Sequence, residues 1–303
     1  MKIIKDVRKK KALIERCIKK HGHFAEHNFM HYMNNEIAPE SNVFFHAGNS
    51  KGILSQFNPK DSSWSLFPDS ILAPEFARNE LFEEFLEHVL LRENGSRVIV
   101  EVTEPFKDYI VEKLKDHKKF RECRNHFILY WPVYNLKNLD MKLKGGKWKK
   151  LRNIKNRFYR MSRVRAVPSQ RVDKEKLKEI VRQWVKRRSG SDTAHEEYYF
   201  NLVDNNFKGT DFARTLLVNG RPCTITAGWK IPNSDCYYSA VGIYDYSHKD
   251  LGVVTNFDDL KNLKRKGMKY VDFGGSDKAL LQFKKKFKPD HIYKTYLFSI
   301  VRK

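Results

Sequence analysis

The order in which hydrophobic periodicity changes along this chain constrains its fold more than any single residue, because that order occurs twice. Residues 2–20 and 23–35 space their apolar side chains as two helices, and Asn42–Pro68 reads as three short strands broken at Gly48-Asn49, Gly52 and Asn58-Pro59. A long helix with core positions Phe76, Leu81, Phe82, Phe85, Val89 and Leu90 ends at Asn94-Gly95. Arg97–Val102 is a buried strand, Thr103 caps a helix running to about His117 with Pro105 in its first turn, and His126–Tyr134 is an aromatic-rich strand. The same order then returns: helices at 173–188 and 193–204, strands at Ala213–Val218, Cys223–Lys230 and Cys236–Tyr246, a helix at Asn256–Lys266, the strand Lys269–Phe273, a helix at Asp277–Phe287 and the strand Lys294–Val301. The repeat is one of architecture, without residue-level duplication. It predicts an α/β (α+β) chain of two similar halves, residues 1–140 and 166–303, each a mixed sheet flanked by helices, joined by a connector at 141–165.

That connector is chemically distinct. Residues 142–165 hold eleven basic side chains and no acid, whereas residues 1–20 carry nine basic against two acidic residues and residues 261–303 thirteen against three. These three windows exceed the net charge of +23, so the rest of the chain is mildly acidic and the positive charge sits in patches of the kind that attract phosphates. Cys17, Cys123, Cys223 and Cys236 stand apart, without the close spacing of zinc knuckles or redox pairs, so a reducing compartment and packing roles are expected. No apolar run approaches the roughly 20 residues of a membrane span, and the charged N-terminus does not read as a signal peptide. The expectation is a cytoplasmic protein that needs no metal.

Within the connector, Gly145 and Gly146 permit a sharp entry into a helix. On that helix Trp148, Leu151, Ile154 and Phe158 share one face, while Arg152, Asn156 and Arg160 project from another. With Lys147, Lys149 and Lys150 they form the expected phosphate-binding row. A second stretch, Lys269-Tyr270-Val271-Asp272-Phe273-Gly274-Gly275, ends a strand on two glycines and opens a helix, which brings backbone amides and Asp272 to the carboxyl edge of a sheet, where α/β folds commonly bind ligands. Leu280, Leu281, Phe283 and Phe287 of that helix are expected to face the core, with Lys284, Lys285 and Lys288 pointing outward. The run His23-Phe24-Ala25-Glu26-His27 fits a His-x-x-Glu-His zinc pattern, but no third ligand follows, and His31 is roughly 12 Å along a helix from His23. A polar helix face accounts for it.

The segment Lys144–Arg160, with its glycine entry and its Lys-Lys-Leu-Arg-Asn and Asn-Arg-Phe cores, resembles the phosphatidylglycerol lysyltransferase C-terminal-like family. Tyr270–Gly275 with the following Phe283-Lys284 is similar to the end of the Fem peptidoglycan aminoacyltransferases. The resemblance spans residues 40–303. It implies two fused GNAT-like halves and transfer of an aminoacyl group from aminoacyl-tRNA to an amine or a lipid hydroxyl. Two departures accompany it. The membrane-spanning portion of the lipid lysyltransferases is missing from this sequence, and Ser247–Val253 stands where acetyl-CoA-dependent GNAT enzymes hold pyrophosphate on a Gln/Arg-x-x-Gly-x-Gly/Ala loop.

An aminoacyl ester is already activated, so the enzyme has only to position an acceptor, take its proton and stabilise an oxyanion. Asp272 is the candidate for orienting or deprotonating the acceptor. Lys284, at the family's Phe-Lys position, is the candidate for contacting the donor's terminal phosphate or the oxyanion. Tyr237, Tyr238 and Tyr244 lie on the strand that borders the acyl cleft in GNAT-like folds, Tyr238 as proton relay and the others, with Gly274 and Gly275, as substrate contacts. The expected partners are tRNA, as aminoacyl-tRNA co-substrate without a further cofactor, and a small-molecule, peptide or lipid acceptor. The alternatives are an acyl-CoA-dependent N-acyltransferase and a non-catalytic binder of nucleic acid or anionic membrane built on the same scaffold.

Overall fold

The computed structural model describes residues 1–123, 126–188 and 195–303. The chain opens with a strand, β1 (Lys2–Ile4), and not with the expected helix. Its backbone pairs antiparallel with β2 (Ser41–His46), Ile4 opposite Phe44, and only at Lys11 does α1 (Lys11–His21) begin. Helix α2 (Phe29–Asn34) is capped by the Asn28 side chain, which accepts from the His31 amide. Between the two helices, residues 22–28 form a turn, so the His23–His27 run is not on a helix face.

Strands β2, β3 (Gly52–Asn58) and β4 (Ser63–Leu72) form the expected antiparallel meander. Helix α3 (Glu75–Glu87) follows, and Asn94 with positive φ ends the turn that succeeds it. Strand β5 (Arg97–Thr103) runs parallel to β4, and α4 (Glu104–Lys115), β6 (Phe120–Glu122) and β7 (Phe127–Asn135) complete the first half. Of the expected connector 141–165, α5 (Lys149–Met161) is α-helical and Val164–Arg165 already belong to a strand; α5 buries Leu151 and Phe158, with Trp148 just ahead of it, against the helix at Leu251–Arg265 and the sheet. The second half runs β8 (Val164–Pro168), α6 (Lys174–Lys186), α7 (Glu196–Asp204), β9 (Phe212–Val218), β10 (Arg221–Pro222), β11 (Thr224–Lys230), β12 (Cys236–Tyr244), α8 (Leu251–Arg265), β13 (Tyr270–Asp272), α9 (Lys278–Lys284) and β14 (His291–Arg302). The expected start of a helix at 193 lies outside the described residues.

The two mixed sheets of the sequence reading are present, but they are joined edge to edge into one. Its central order is β4-β5-β14-β7-β13-β12-β11. β13 of the second half pairs with β7 of the first, Asp272 opposite Val133, and β14 leaves its own half to lie between β5 and β7. The reason is visible in the burial of these strands: Val98, Val100 and Val102 of β5 and Phe298 and Ile300 of β14 share one core with α3 and α4, so β14 completes the apolar surface of the first half.

Both parallel pairs are short. β4 pairs with β5 only from Ser63 to Ser65, and β12 with β13 only from Cys236 to Tyr238. Beyond those points the strands part, and each parting leaves an opening in the sheet.

Candidate functional site

The opening beside β12 is a cavity of about 620 Å³. It exists because β13 stops at Asp272 and the chain turns away through Phe273-Gly274-Gly275, leaving Ser239–Tyr244 without a neighbour on that side. Gly274 adopts φ 77°, a left-handed conformation that favours glycine, and a Cβ on Gly275 would stand 3.2 Å from Trp131. The wall comprises Tyr238, Ala240, Gly242 and Tyr244 of β12, Gly274, Gly275, Asp277, Leu280 and Lys284 around the turn and α9, and Trp184, Arg188 and Tyr199 of the second half. The first half contributes Glu26, Glu101, Leu129 and Trp131.

Lys284 turns into this cavity and not outward. Its ammonium donates to the carbonyls of Phe273 (2.5 Å) and Gly274 (3.0 Å), which leaves the third of its three protons for a ligand. Burial lowers its pKa to about 7, while the nearby Asp272 charge opposes that fall. Asp277 caps α9 by accepting the Leu280 amide at 2.7 Å, an interaction worth about 1 kcal/mol that fixes the helix carrying Lys284.

Asp272 sits differently from its expected role. It is 1% exposed and does not line the cavity; one carboxylate oxygen accepts the Gly274 amide and the other the Tyr293 hydroxyl, both at 2.7 Å. Burial pushes its carboxyl up to about 6, against those two bonds and the Lys284 charge. It is a positioning residue that shapes the Gly274 turn. Tyr237 and Tyr238 separate as strand alternation demands. Tyr238 faces the cavity, and burial keeps its hydroxyl protonated and able to donate; Tyr237 is on the opposite face, packed on Phe212 with its hydroxyl toward the Phe212 carbonyl. Tyr237 therefore is not a cavity contact. Tyr244 lines the cavity and lies against Gly252, where a Cβ would meet its ring at 2.5 Å.

Two acids outside the expected site residues lie in the same cavity: Glu101, and Glu26 of the run read above as a polar helix face. Glu101, on β5, accepts from Thr295 at 2.5 Å, and Thr295 in turn accepts from the Trp131 indole at 2.8 Å. Burial, reinforced by the charge of Glu26, raises Glu101 to about 8. Glu26 comes from the 22–28 turn, which both halves grip: Trp229 donates to the Ala25 carbonyl and Asn233 to the Gly22 carbonyl, while His27 reaches the Pro68 carbonyl of β4. His31 stands between Glu26 (3.4 Å) and the Tyr198 hydroxyl (2.9 Å). The signal available in the sequence was an acid inside the apolar run Val98-Ile99-Val100-Glu101-Val102.

The basic stretch divides by role. Arg152 donates to the carbonyls of Leu143 and Gly145 and so closes the glycine turn, and Arg157 pairs with Asp250; the expected row of Arg152, Asn156 and Arg160 thus loses its first member to the chain itself. Lys147 and Lys150 instead converge with Lys285, Lys286 and Lys288 on a groove of about 250 Å³. Lys149, Asn156 and Arg160 are exposed on the helix nearby. Helix α9 and the turn after it thus present Lys284 to the cavity and three further lysines to this groove.

No family model matches the sequence, and no curated protein matches it either. The fold matches solved structures over nearly its full length. A protein described as L-PGS from Bacillus licheniformis aligns at TM-score 0.69 with 16% identity, over 97% of this chain and 91% of that one. FemX aligns at TM-score 0.57 with 12% identity, covering 98% and 97%. A tandem GNAT protein from the clavulanic acid biosynthesis pathway aligns at TM-score 0.56 with 8% identity, covering 99% and 98%. The chain thus has the tandem GNAT-like fold. Among the described residues, no helix is long and apolar enough to cross a membrane.

Proposed function

We propose that the protein is an acyltransferase that moves an aminoacyl group from aminoacyl-tRNA to an amine or hydroxyl acceptor. One observation carries the reading: a single cavity is lined by the amino group of Lys284 from the second half and by two carboxyl side chains, Glu26 and Glu101, from the first. The acceptor's nitrogen or oxygen attacks the ester carbonyl carbon, and the bond from that carbon to the ribose oxygen breaks. The proton leaving the acceptor ends on the ribose oxygen. Glu26 attracts an amine acceptor; an ammonium form first loses one proton to solvent, and the ionised fraction of Glu101, whose carboxyl is raised to about 8, takes the proton released on attack and passes it to the ribose oxygen. The remaining N–H of Lys284 donates to the carbonyl oxygen as it gains charge, and the Tyr238 hydroxyl is a second donor.

The lysines of the adjoining groove, with Lys149 and Arg160, supply the cations that an RNA body requires and a smaller donor does not, and Asn156 adds an amide donor beside them. The acyl-CoA alternative has less in its favour. Asp250 heads α8, placing a carboxylate where GNAT enzymes of that kind receive pyrophosphate, and the amides of Val253 and Val254 bond the Asp250 carbonyl. Gly252, the lone glycine of Ser247–Val253, is required by the Tyr244 ring.

The test is to incubate the protein with labelled aminoacyl-tRNA or labelled acetyl-CoA and a panel of amines and hydroxyl compounds. Transfer of the aminoacyl label is the expected result. Consumption of acetyl-CoA, with the tRNA label retained throughout, overturns the reading.

A further inference from the structure

Cys223, Asp245 and His248 stand outside the cavity, at the end of the hairpin formed by β11 and β12. The thiol sulfur, a carboxylate oxygen and a ring nitrogen of these three lie within 4.8 Å of one another. We propose that they bind one divalent transition-metal ion of the zinc class, a site the sequence reading did not foresee because its members come from separate segments.

Backbone geometry holds the three together before any ion arrives. The last ladder pair between the strands is Thr224 with Tyr244, so Cys223 and Asp245 face each other one step further on, and the Asp245 amide donates to the Cys223 carbonyl at 2.8 Å. His248 is returned to the same place by a tight turn in which the Ser247 amide bonds an Asp245 carboxylate oxygen at 2.8 Å. Metal bonds of about 2.0–2.3 Å in a tetrahedron put ligand atoms roughly 3.5 Å apart, which side-chain rotation from the present spacing can reach. One sulfur, one nitrogen and one oxygen suit zinc, and three protein ligands leave a fourth position for water.

The thiol is the group that must change. Cys223 is 3% exposed, its sulfur donates to the Arg221 carbonyl, and burial together with the Asp245 charge keeps it protonated. Ligation replaces that proton by the metal and releases it to solvent, so binding tightens as pH rises. The bound ion pins the loop between Tyr244, on the cavity wall, and Asp250, which pairs with Arg157 of the basic helix.

The proposal does not depend on the acyl-transfer reading and is tested without it. Metal-free protein is titrated with cobalt(II) while thiolate-to-cobalt charge-transfer absorption is recorded, and zinc(II) is then added. The expected result is a band that saturates at one equivalent, is abolished by zinc and is absent from Cys223→Ser. Asp245→Asn and His248→Ala, whose folding is checked by circular dichroism, each weaken binding by about tenfold or more. Three results overturn it: no band in the wild type, an undiminished band in Cys223→Ser, which places the metal on another cysteine, or wild-type affinity in His248→Ala. If Cys223→Ser does not fold, the other two variants decide.

Discussion

The two halves open their sheets in the same way and use the openings differently. In each, a parallel pair holds for three residue pairs and then parts. Beside β12 the gap is a cavity lined by Lys284 and Tyr238. Beside β4 the freed Pro68 carbonyl is taken by His27, Asp69 is taken by His23, and Arg78 donates to the His23 ring. His27 is fully buried and accepts the amides of His23 and Phe24 on Nδ1, so its Nε2 carries the proton given to Pro68; burial and the neighbouring His23 hold its pKa at about 3, and it stays neutral. One opening remains a cavity and the other is closed by the chain. The closing turn is nevertheless what delivers Glu26 to the open side, so the two openings are coupled through residues 22–28.

The sharpest way to break this comparison is at Lys284. Lys284→Met should lower single-turnover transfer by about 10²–10³-fold, the loss typical of one oxyanion donor, with RNA affinity unchanged. Because the Lys284 ammonium, pKa about 7, and the ionised form of Glu101, pKa about 8, are both required, kcat/KM of the wild type should rise with pH up to about 7 and fall above about 8, whereas Lys284→Arg should be slower and lose the fall at high pH. Equal rates for Lys284→Met and wild type would remove the asymmetry between the halves.

A smaller effect is expected in the closed half. His27→Leu leaves the buried Phe24 amide, the half-buried His23 amide and the Pro68 carbonyl without this partner and should cost about 1–3 kcal/mol in denaturant unfolding. If instead stability holds and only transfer falls, the turn serves the cavity alone.

Glu101 links stability to pH. Its folded pKa, about 8, lies above the unfolded value near 4.3, so its contribution is intact below about pH 4 and is lost as pH rises through 8. Glu101→Gln should therefore gain in melting temperature relative to wild type across that window, by about 2–4 °C for each kcal/mol. A constant difference from pH 4 to 9 would count against a buried, strained carboxyl. The smallest change is expected at the lysine groove: replacing Lys285, Lys286 and Lys288 by alanine should reduce the salt slope of RNA binding by about 2, at roughly 0.7 per phosphate contact, without altering the pH profile.

The sequence disclosed what local pattern encodes. The longer strands of both halves, the connector helix with its buried Trp148, Leu151 and Phe158, and the glycine turn at Gly274 follow from periodicity and turn chemistry, whereas the short strands β6, β8 and β10 were not foreseen. Lys2–Ile4 was misread because three residues pair as a strand only when β2 is there to receive them. Strand alternation alone distinguishes Tyr237 from Tyr238. Glu26 and Glu101 were missed for a different reason: their meeting requires the two sheets to join, and no window of sequence records which strand edges meet. Arg152 likewise looked like a ligand-facing side chain until the carbonyls of the glycine turn were seen to satisfy it.

The placement of β14 has a consequence for the order of events during synthesis. Residues 97–103 find their partner strand in residues 291–302, with nearly the whole second half translated in between. A ribosome-bound chain displaying only the first half exposes the apolar edge of β5, and early compaction there is provisional until the late strand arrives. Contacts this distant in sequence slow folding and lengthen exposure to aggregation, so a nascent first half is where a chaperone has most reason to wait.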